Sequence, residues 1–96
     1  MRILIIGAGD TGRHLAKMLS GKGNEVIVVD KNKDKCKLVA EEADVLAINK
    51  DATDLSLYEE VDLRKLDVMV AATDKDEVNL FVALIAREHG VPRIIV

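Results

Sequence analysis

The sequence predicts an α/β fold in which helices cover both faces of a mostly parallel, doubly wound sheet. Five short apolar runs rich in β-branched residues alternate with segments of helical spacing. Such alternation requires crossover connections, which make the strands parallel. A chain of 96 residues is long enough for one domain with a modest core and too short for two. We therefore expect a single domain over residues 1–96.

The five apolar runs are predicted as strands. They cover residues 3–6, 26–29, 45–48, 68–72 and 94–96. None alternates polar with apolar residues, so we expect each strand to be covered on both faces. No helix follows the last run, which would leave its apolar face uncovered. We therefore expect the chain to be part of a longer protein, truncated after the fifth strand.

Four helices are predicted between the strands, because apolar residues recur there three and four positions apart. The first two carry apolar stripes at Leu15, Met18 and Leu19, and at Cys36, Val39, Ala40 and Ala43. A short third helix is expected at residues 54–61 and a long fourth helix at residues 76–88.

The fourth predicted helix is apolar nearly all round its middle, from Leu80 to Ala86. A helix of that kind is buried on two sides. The sheet supplies one side, and a second subunit is the natural candidate for the other. We expect a homodimer or a larger ring that forms through the region of Leu80 and Leu84.

A glycine-rich turn carries the clearest functional signal. Gly7, Gly9 and Gly12 form Gly-x-Gly-x-x-Gly between the first predicted strand and the first helix, and Thr11 lies within the same turn. The glycines permit a tight turn, the approach of a pyrophosphate and close helix–strand packing, respectively. Free amides at the helix start would face the phosphates. The motif indicates a Rossmann-type sheet, for which the expected strand order is 3-2-1-4-5.

Asp30 closes the second predicted strand, about 20 residues after the glycines, where a carboxylate can accept hydrogen bonds from ribose hydroxyls. It would repel a 2′-phosphate and so favour NAD over NADP, although Lys31 weakens that exclusion. Asp10 opposes an anionic ligand unless it points away or meets a cation. Arg13 could offset it, but we expect an exposed, solvated arginine.

Two further loops are predicted at the same edge of the sheet, where open α/β sheets bind ligands. Asp51 could accept a hydrogen bond from an adenine amino group, and Ala52 follows it. Thr73 could line the crevice beside the phosphates. Helix capping explains Asp51 and Thr73 equally well, and it is the preferred interpretation of Thr53, Asp54, Asp74 and Glu77.

Composition and absent motifs exclude several classes of function. A net charge of −3 and only two aromatic residues argue against nucleic-acid binding. The single cysteine, Cys36, can form neither an internal disulfide nor a cysteine-rich zinc site, which fits a reducing cytosol. We predict no metal site. There is no Tyr-x-x-x-Lys, P-loop, nucleophile elbow or His-Glu-x-x-His, so we expect no catalytic residues and no enzyme.

The chain resembles the N-terminal nucleotide-binding domain of TrkA-type potassium-transport regulators, also called the KTN or RCK domain. The resemblance covers essentially the whole chain. It is carried by residues 3–12, by Asp30, by Asp51-Ala52-Thr53 and by residues 71–79. The last of these segments, which runs into Asn79, is the most discriminating.

The resemblance implies a cytoplasmic regulatory subunit that binds NAD(H) or ATP/ADP and gates a membrane potassium-transporter subunit by a ligand-dependent conformational change. Its location would be the cytoplasm or, through that partner, the inner face of the cell membrane. By the match, the three glycines form the phosphate turn, Asp30 contacts the ribose, Asp51 the adenine side, and Thr73 lines the crevice.

The ligand is left open between two nucleotide classes. Some members of the family carry an arginine at the position of Asp10, where it helps to hold terminal phosphates. This departure favours NAD(H) over ATP or ADP. The alternative function is the cofactor-binding half of an NAD-dependent dehydrogenase, whose active site would lie in a separate catalytic domain.

Overall fold

The computed structural model describes all of residues 1–96 and contains one five-stranded parallel sheet in the order β3-β2-β1-β4-β5. The strands are β1 (Arg2–Ile6), β2 (Glu25–Asp30), β3 (Leu46–Asn49), β4 (Val68–Ala71) and β5 (Arg93–Ile95). The predicted Rossmann-type architecture and its strand order are confirmed. The strand order reverses direction at β1, and open sheets of this kind form a crevice at the carboxyl end of the strand where the order reverses.

Four α-helices connect the strands. They are α1 (Asp10–Leu19), α2 (Lys33–Glu42), α3 (Leu57–Glu60) and α4 (Asp76–Glu88), and a single 3-10 turn covers Leu63–Lys65. None of the four combines the length and the apolar composition that a bilayer crossing requires.

The third helix is shorter than residues 54–61, the range predicted from the apolar spacing. The carboxylate of Asp54 accepts a hydrogen bond from the Ser56 amide at 3.0 Å, which forms a turn ahead of the helix. Val61 is already extended. Local hydrogen bonds that Asp54 accepts therefore compete with the helix at its start.

Two apolar layers sandwich the sheet, and β1 contributes to both because successive side chains of a strand point to opposite faces. Ile3 and Ile5 pack in the layer that contains residues of α1 and α2, and Leu4 and Ile6 pack in the layer that contains residues of α3 and α4. All four side chains are almost completely buried. Helices thus cover both faces of the central strands.

The two edge strands are not covered on both faces. Leu46 of β3 is 59% exposed, so the prediction of cover on both faces is wrong for this strand. Ile95 of β5 is also exposed, as expected for a strand that no helix follows. An edge strand has one neighbouring strand and lies beyond the reach of most of the helical cover. An apolar run therefore indicates a strand without indicating whether that strand is central.

α4 has two unlike sides. Its inner side buries Asn79, Val82 and Ala86 against the sheet. Its outer side exposes Leu80 and Leu84, by 60% and 52%. The helix is thus apolar on a side that the sheet does not cover.

Candidate functional site

A cleft of about 640 Å³ opens at the carboxyl ends of the strands, between the loops that follow β1, β2, β3 and β4. Most of the predicted site residues line it: Gly7, Gly9, Asp10, Thr11, Asp30, Lys31, Asp51, Ala52 and Thr73. Gly12 does not line the cleft. The topology therefore brings four loops that are distant in sequence to one crevice.

The structure gives a different reason for the presence of glycine at each of the three positions of the turn. Gly7 has φ +110°, and a Cβ there would lie 2.7 Å from the carbonyl oxygen of Ala72. A Cβ on Gly12 would overlap the carbonyl oxygen of Gly7. Gly9 has φ −71°, and a Cβ there would have no heavy atom within 4 Å. The fold explains the first and third glycines, whereas Gly9 only keeps space open in the cleft.

The start of α1 is available to an anion. The first amides of a helix have no acceptor in a preceding turn, and no side chain caps this helix at Gly9. The positive end of the helix dipole lies at the same place. The Gly7 and Ala8 amides donate within the chain, so the donors available to a ligand are the amides from Gly9 onward.

Asp10 is fully exposed and is partly neutralised by Arg13, whose Nη2 lies 3.3 Å from its Oδ1. Arg13 also donates through Nη1 to Oε1 of Glu42 at 2.7 Å, and Lys17 contacts the same carboxylate at 3.4 Å. The hydrogen bond from Arg13 lowers the pKa of Glu42, and the same bond raises the pKa of Arg13. The expectation of a solvated Arg13 is wrong, because the arginine links α1 to α2.

Asp30 joins two turns of the cleft. Its Oδ2 accepts from the Ala8 amide at 2.8 Å, and its Oδ1 accepts from the Asn32 amide at 2.8 Å. Asn32 in turn caps α2 by accepting from the Lys35 amide at 3.0 Å. Each carboxylate oxygen has a further lone pair. Asp30 thus supports the phosphate turn and still has acceptor capacity toward the cleft.

Asp51 shapes its own loop. Its Oδ1 accepts from the amide of Thr53 at 2.9 Å and from the hydroxyl of Thr53 at 2.7 Å. These bonds lower the pKa of Asp51, and the nearby charges of Lys31 and Lys75 lower it further. Thr53 therefore donates to Asp51 and does not cap a helix, contrary to the prediction.

Tyr58 anchors the same loop through a hydrogen bond to its backbone. Its hydroxyl donates to the carbonyl oxygen of Ala52 at 2.6 Å. Burial raises the pKa of Tyr58 to about 12, with a smaller contribution from the charge of Asp51. The sequence predicted Tyr58 only as part of a short helix, because a side chain–carbonyl bond leaves no mark in apolar spacing.

The loop between β4 and α4 is held by Asn79. The Asn79 side chain makes three hydrogen bonds with Thr73, described below, and the Thr73 hydroxyl accepts from the Lys75 amide at 3.2 Å. No side chain caps α4, which begins after Lys75. The prediction that Asp74 and Glu77 cap this helix is therefore wrong, and both residues line the cleft instead.

Lysines and carboxylates both line the cleft. Lys31, Lys35 and Lys75 make no ion pair, whereas Lys50 pairs with Glu60 at 2.9 Å. That contact raises the pKa of Lys50. Lys50 and Lys75 lie in loops that the sequence placed at the sheet edge, but nothing in their spacing distinguished them from solvated lysines. Three unpaired cations are thus available to an anionic ligand.

Neither a metal centre nor a reactive thiol is built into the cleft. No group of three or more His, Cys, Asp or Glu side chains could hold a metal ion. Cys36 is buried in the inner stripe of α2, and its thiol lies 3.3 Å from the carbonyl oxygen of Asp30. Burial raises the pKa of Cys36, which keeps the thiol protonated and unreactive.

Comparison with protein families gives one match over nearly the whole chain. The family model described as the TrkA-N domain matches residues 3–96.

Named relatives agree with this match. The chain is 40% identical over 96 residues to the Trk system potassium uptake protein trkA homolog 1 of Methanosarcina mazei, with 98% of the chain and 24% of the relative covered. It is 37% identical over 95 residues to the TrkA homolog of Methanothermobacter thermautotrophicus, covering 99% and 44%. It is 34% identical over 102 residues to Trk system potassium uptake protein TrkA of Mycobacterium tuberculosis, covering 99% and 43%. The chain therefore spans less than half of each of these relatives.

A solved structure is also similar. It is the NAD(P)-binding domain of an exopolyphosphatase-related protein from Archaeoglobus fulgidus, with a TM-score of 0.82 and 31% sequence identity. The match covers 97% of this chain and 70% of the other.

Proposed function

The chain belongs to the TrkA-N domain family, and on that premise we propose that it is a regulatory module of a potassium uptake system, which binds NAD(H) without converting it. The relatives described above are named as Trk system potassium uptake proteins, and the similar solved structure is an NAD(P)-binding domain. Those names support the transport role and the ligand class. The residues of the cleft support the way in which the ligand is held.

The observation that carries the ligand proposal is the open space over Gly9. The fold does not require glycine at this position, since the backbone has an ordinary negative φ and a Cβ would touch nothing. A ligand that approaches the backbone closely does require it. We assign this space to the diphosphate of NAD(H), which receives hydrogen bonds from the amides at the start of α1.

The rest of the ligand follows from the position of the diphosphate. The adenosine half lies over Asp30 and Lys31, with its ribose hydroxyls donating to the free lone pairs of Asp30. Its adenine lies toward Asp51 and Ala52. The other half of the dinucleotide runs toward Thr73. The unpaired lysines around the cleft offset the negative charge of the phosphates.

NAD(H) is preferred over ATP or ADP because of Asp10. This carboxylate stands in the first turn of α1 and is exposed. A terminal phosphate placed close to it meets a like charge, and Arg13 is already shared with Glu42. The diphosphate of a dinucleotide is esterified at both ends, so it carries less negative charge than the phosphate chain of either ATP or ADP.

The proposed partner is a membrane potassium-transporter subunit, which would place the module in the cytoplasm at the inner face of the membrane. Copies of the chain associate through the outer side of α4, with Leu80 and Leu84 at the contact. A ligand can shift such an assembly only by as much as it prefers one conformation over another. Gating therefore requires a cleft whose shape differs between the two conformations of the assembly.

Calorimetric titration of the purified chain tests the ligand proposal. NAD, NADH, ATP and ADP are titrated separately. The expected result is binding of NAD or NADH that is tighter than that of ATP and ADP. Absence of binding by all four nucleotides would overturn the proposal, and tighter binding of ATP or ADP would overturn the choice of NAD(H).

A further inference from the structure

Asn79 is the only buried residue with a polar or charged side chain, apart from the thiol of Cys36. Its relative exposure is 9%. A buried amide is tolerated only when its donors and acceptors are satisfied. Asn79 lies in α4 but makes its side-chain hydrogen bonds to Thr73, in the loop that lines the cleft.

Three hydrogen bonds join the two residues. The Oδ1 of Asn79 accepts from the Thr73 amide at 3.0 Å and from the Thr73 hydroxyl at 2.7 Å. The Nδ2 of Asn79 donates to the Thr73 carbonyl oxygen at 3.1 Å. The side chain thus satisfies both backbone polar groups of one loop residue.

The contact requires an amide. The backbone N–H of Thr73 demands an acceptor and its C=O demands a donor, so the amide of Asn79 has only one orientation that fits. An aspartate would keep the acceptor and turn an oxygen toward the carbonyl. A leucine of similar size would leave the N–H and the C=O of Thr73 without partners.

The backbone of Thr73 lies close to the phosphate turn. A Cβ on Gly7 would lie 2.7 Å from the Ala72 carbonyl oxygen and 3.1 Å from the Thr73 nitrogen. The loop after β4 therefore packs directly against the first glycine of the turn. Thr73, Asp74 and Lys75 of the same loop line the cleft, so a displacement of Thr73 changes both the turn and the cleft.

We propose that Asn79 is a positioning residue of the nucleotide cleft, which holds the Thr73 loop in its binding conformation before the ligand arrives. The proposal rests on the proposed function, since it concerns the affinity of the same cleft. Asn79 acts through Thr73 and does not itself line the cleft. Its contribution is preorganisation: a loop that is already ordered loses less conformational entropy when the ligand binds.

The test compares NADH affinity in variants of Asn79, which does not line the cleft. Asn79→Leu removes all three bonds, and we expect affinity to fall by about tenfold or more, which corresponds to about 1.4 kcal/mol. Asn79→Asp keeps the two acceptor interactions, and we expect an intermediate loss.

A control variant separates positioning from general stability. Asn24→Ala removes another asparagine–backbone bond, from Nδ2 to the Leu19 carbonyl oxygen at 3.0 Å, at a residue that does not line the cleft. We expect this variant to lose stability and to keep NADH affinity. Amide hydrogen exchange adds a direct readout, because the Thr73 amide is protected by a side chain: its exchange rate should rise in Asn79→Leu and stay unchanged in Asn24→Ala.

The outcomes distinguish this inference from the proposed function. If the unsubstituted chain binds NADH and the folded Asn79 variants bind it equally well, the positioning role is overturned. If Asn79→Leu does not fold, Asn79→Asp decides by the same comparison. If the unsubstituted chain binds no nucleotide, the proposed function fails and the inference fails with it.

Discussion

At the scale of a single residue, a substitution at Gly9 distinguishes ligand binding from folding. A Cβ at this position meets no atom of the chain, so Gly9→Ala should fold. It should lose at most about 1 kcal/mol of unfolding free energy from the poorer helix cap. The methyl group would stand where the diphosphate is proposed to lie, and we expect NADH affinity to fall at least tenfold. Calorimetric titration and chemical denaturation measure the two effects.

Gly12→Ala is the matched comparison for Gly9→Ala. Its Cβ would overlap the carbonyl oxygen of Gly7, so the helix start or the turn must shift. We expect a much larger loss of stability than for Gly9→Ala. A Gly9→Ala chain that folds and binds NADH as tightly as the original would contradict the phosphate assignment.

Tyr58 makes the stability of the domain depend on pH in the alkaline range. Its pKa is raised from 10.0 to about 12, chiefly by burial. Between these values the unfolded chain releases the tyrosine proton and the folded chain keeps it, so the contribution of Tyr58 to stability is lost as pH rises from about 10 to 12. Tyr58→Phe removes this dependence and costs about 1 kcal/mol at neutral pH, because the Ala52 carbonyl loses its partner.

Absorbance titration measures this pKa directly, since Tyr58 is the only tyrosine and there is no tryptophan. Denaturation at neutral and alkaline pH then compares the original chain with Tyr58→Phe. The difference in unfolding free energy between them should shrink as pH rises through the window. A Tyr58 that titrates near 10 in the folded chain would show that the hydroxyl is solvated.

Much of the candidate site could be predicted from the sequence, because the glycine turn and Asp30 occur at fixed distances along one βαβ unit. Other features could not. The contact between Asn79 and Thr73 depends on how α4 packs under its own loop, and the bond from Asp30 to the Ala8 amide joins two turns. Neither leaves a periodic pattern in the chain.

At the scale of elements, α4 carries the prediction about assembly. Leu84 lies on the outer side of the helix and is half exposed, so Leu84→Glu costs the isolated domain little stability. It does place a charge in the proposed contact between copies. We expect the original chain to form dimers or larger rings and Leu84→Glu to be monomeric, as measured by sedimentation velocity.

Leu38→Glu is the control for this experiment. Leu38 is 43% exposed and lies in α2, which packs on the other face of the sheet from α4. The substitution adds the same charge without touching the proposed contact, and it should leave the association state unchanged. Leu84→Glu that remains associated like the original chain would show that α4 does not form the interface.

The elements also show where sequence patterns stop being informative. The strands and long helices were predicted close to their observed bounds because apolar spacing reports burial directly. The exposure of β3 was missed because an apolar run does not show whether its strand has neighbours on both sides. The start of α3 was missed because the turn at Asp54 depends on a local side chain–backbone hydrogen bond, which apolar spacing does not report.

For the whole molecule, the cleft and the outer side of α4 are joined by a single element. The first turn of α4 follows the Thr73 loop, and Asn79 on its inner side precedes Leu80 on its outer side. A movement of the loop that tilts this turn would therefore reach the apolar side of the helix without passing through the sheet. This arrangement is compatible with a module whose ligand changes its assembly.

Ligand binding should raise the thermal stability of the entire domain. A ligand that binds only the folded state, at a hundred times its dissociation constant, stabilises that state by about 2.7 kcal/mol. In a domain of this size each kcal/mol raises Tm by roughly 4–8 °C, so saturating NADH should raise Tm by roughly 10–20 °C. Differential scanning fluorimetry of the original chain and of Gly9→Ala, each at the same NADH concentration, measures this rise in Tm. The variant should show a much smaller rise. Equal rises in the two proteins would place the ligand away from the glycine turn, and no rise with any nucleotide would show that the cleft binds none of them.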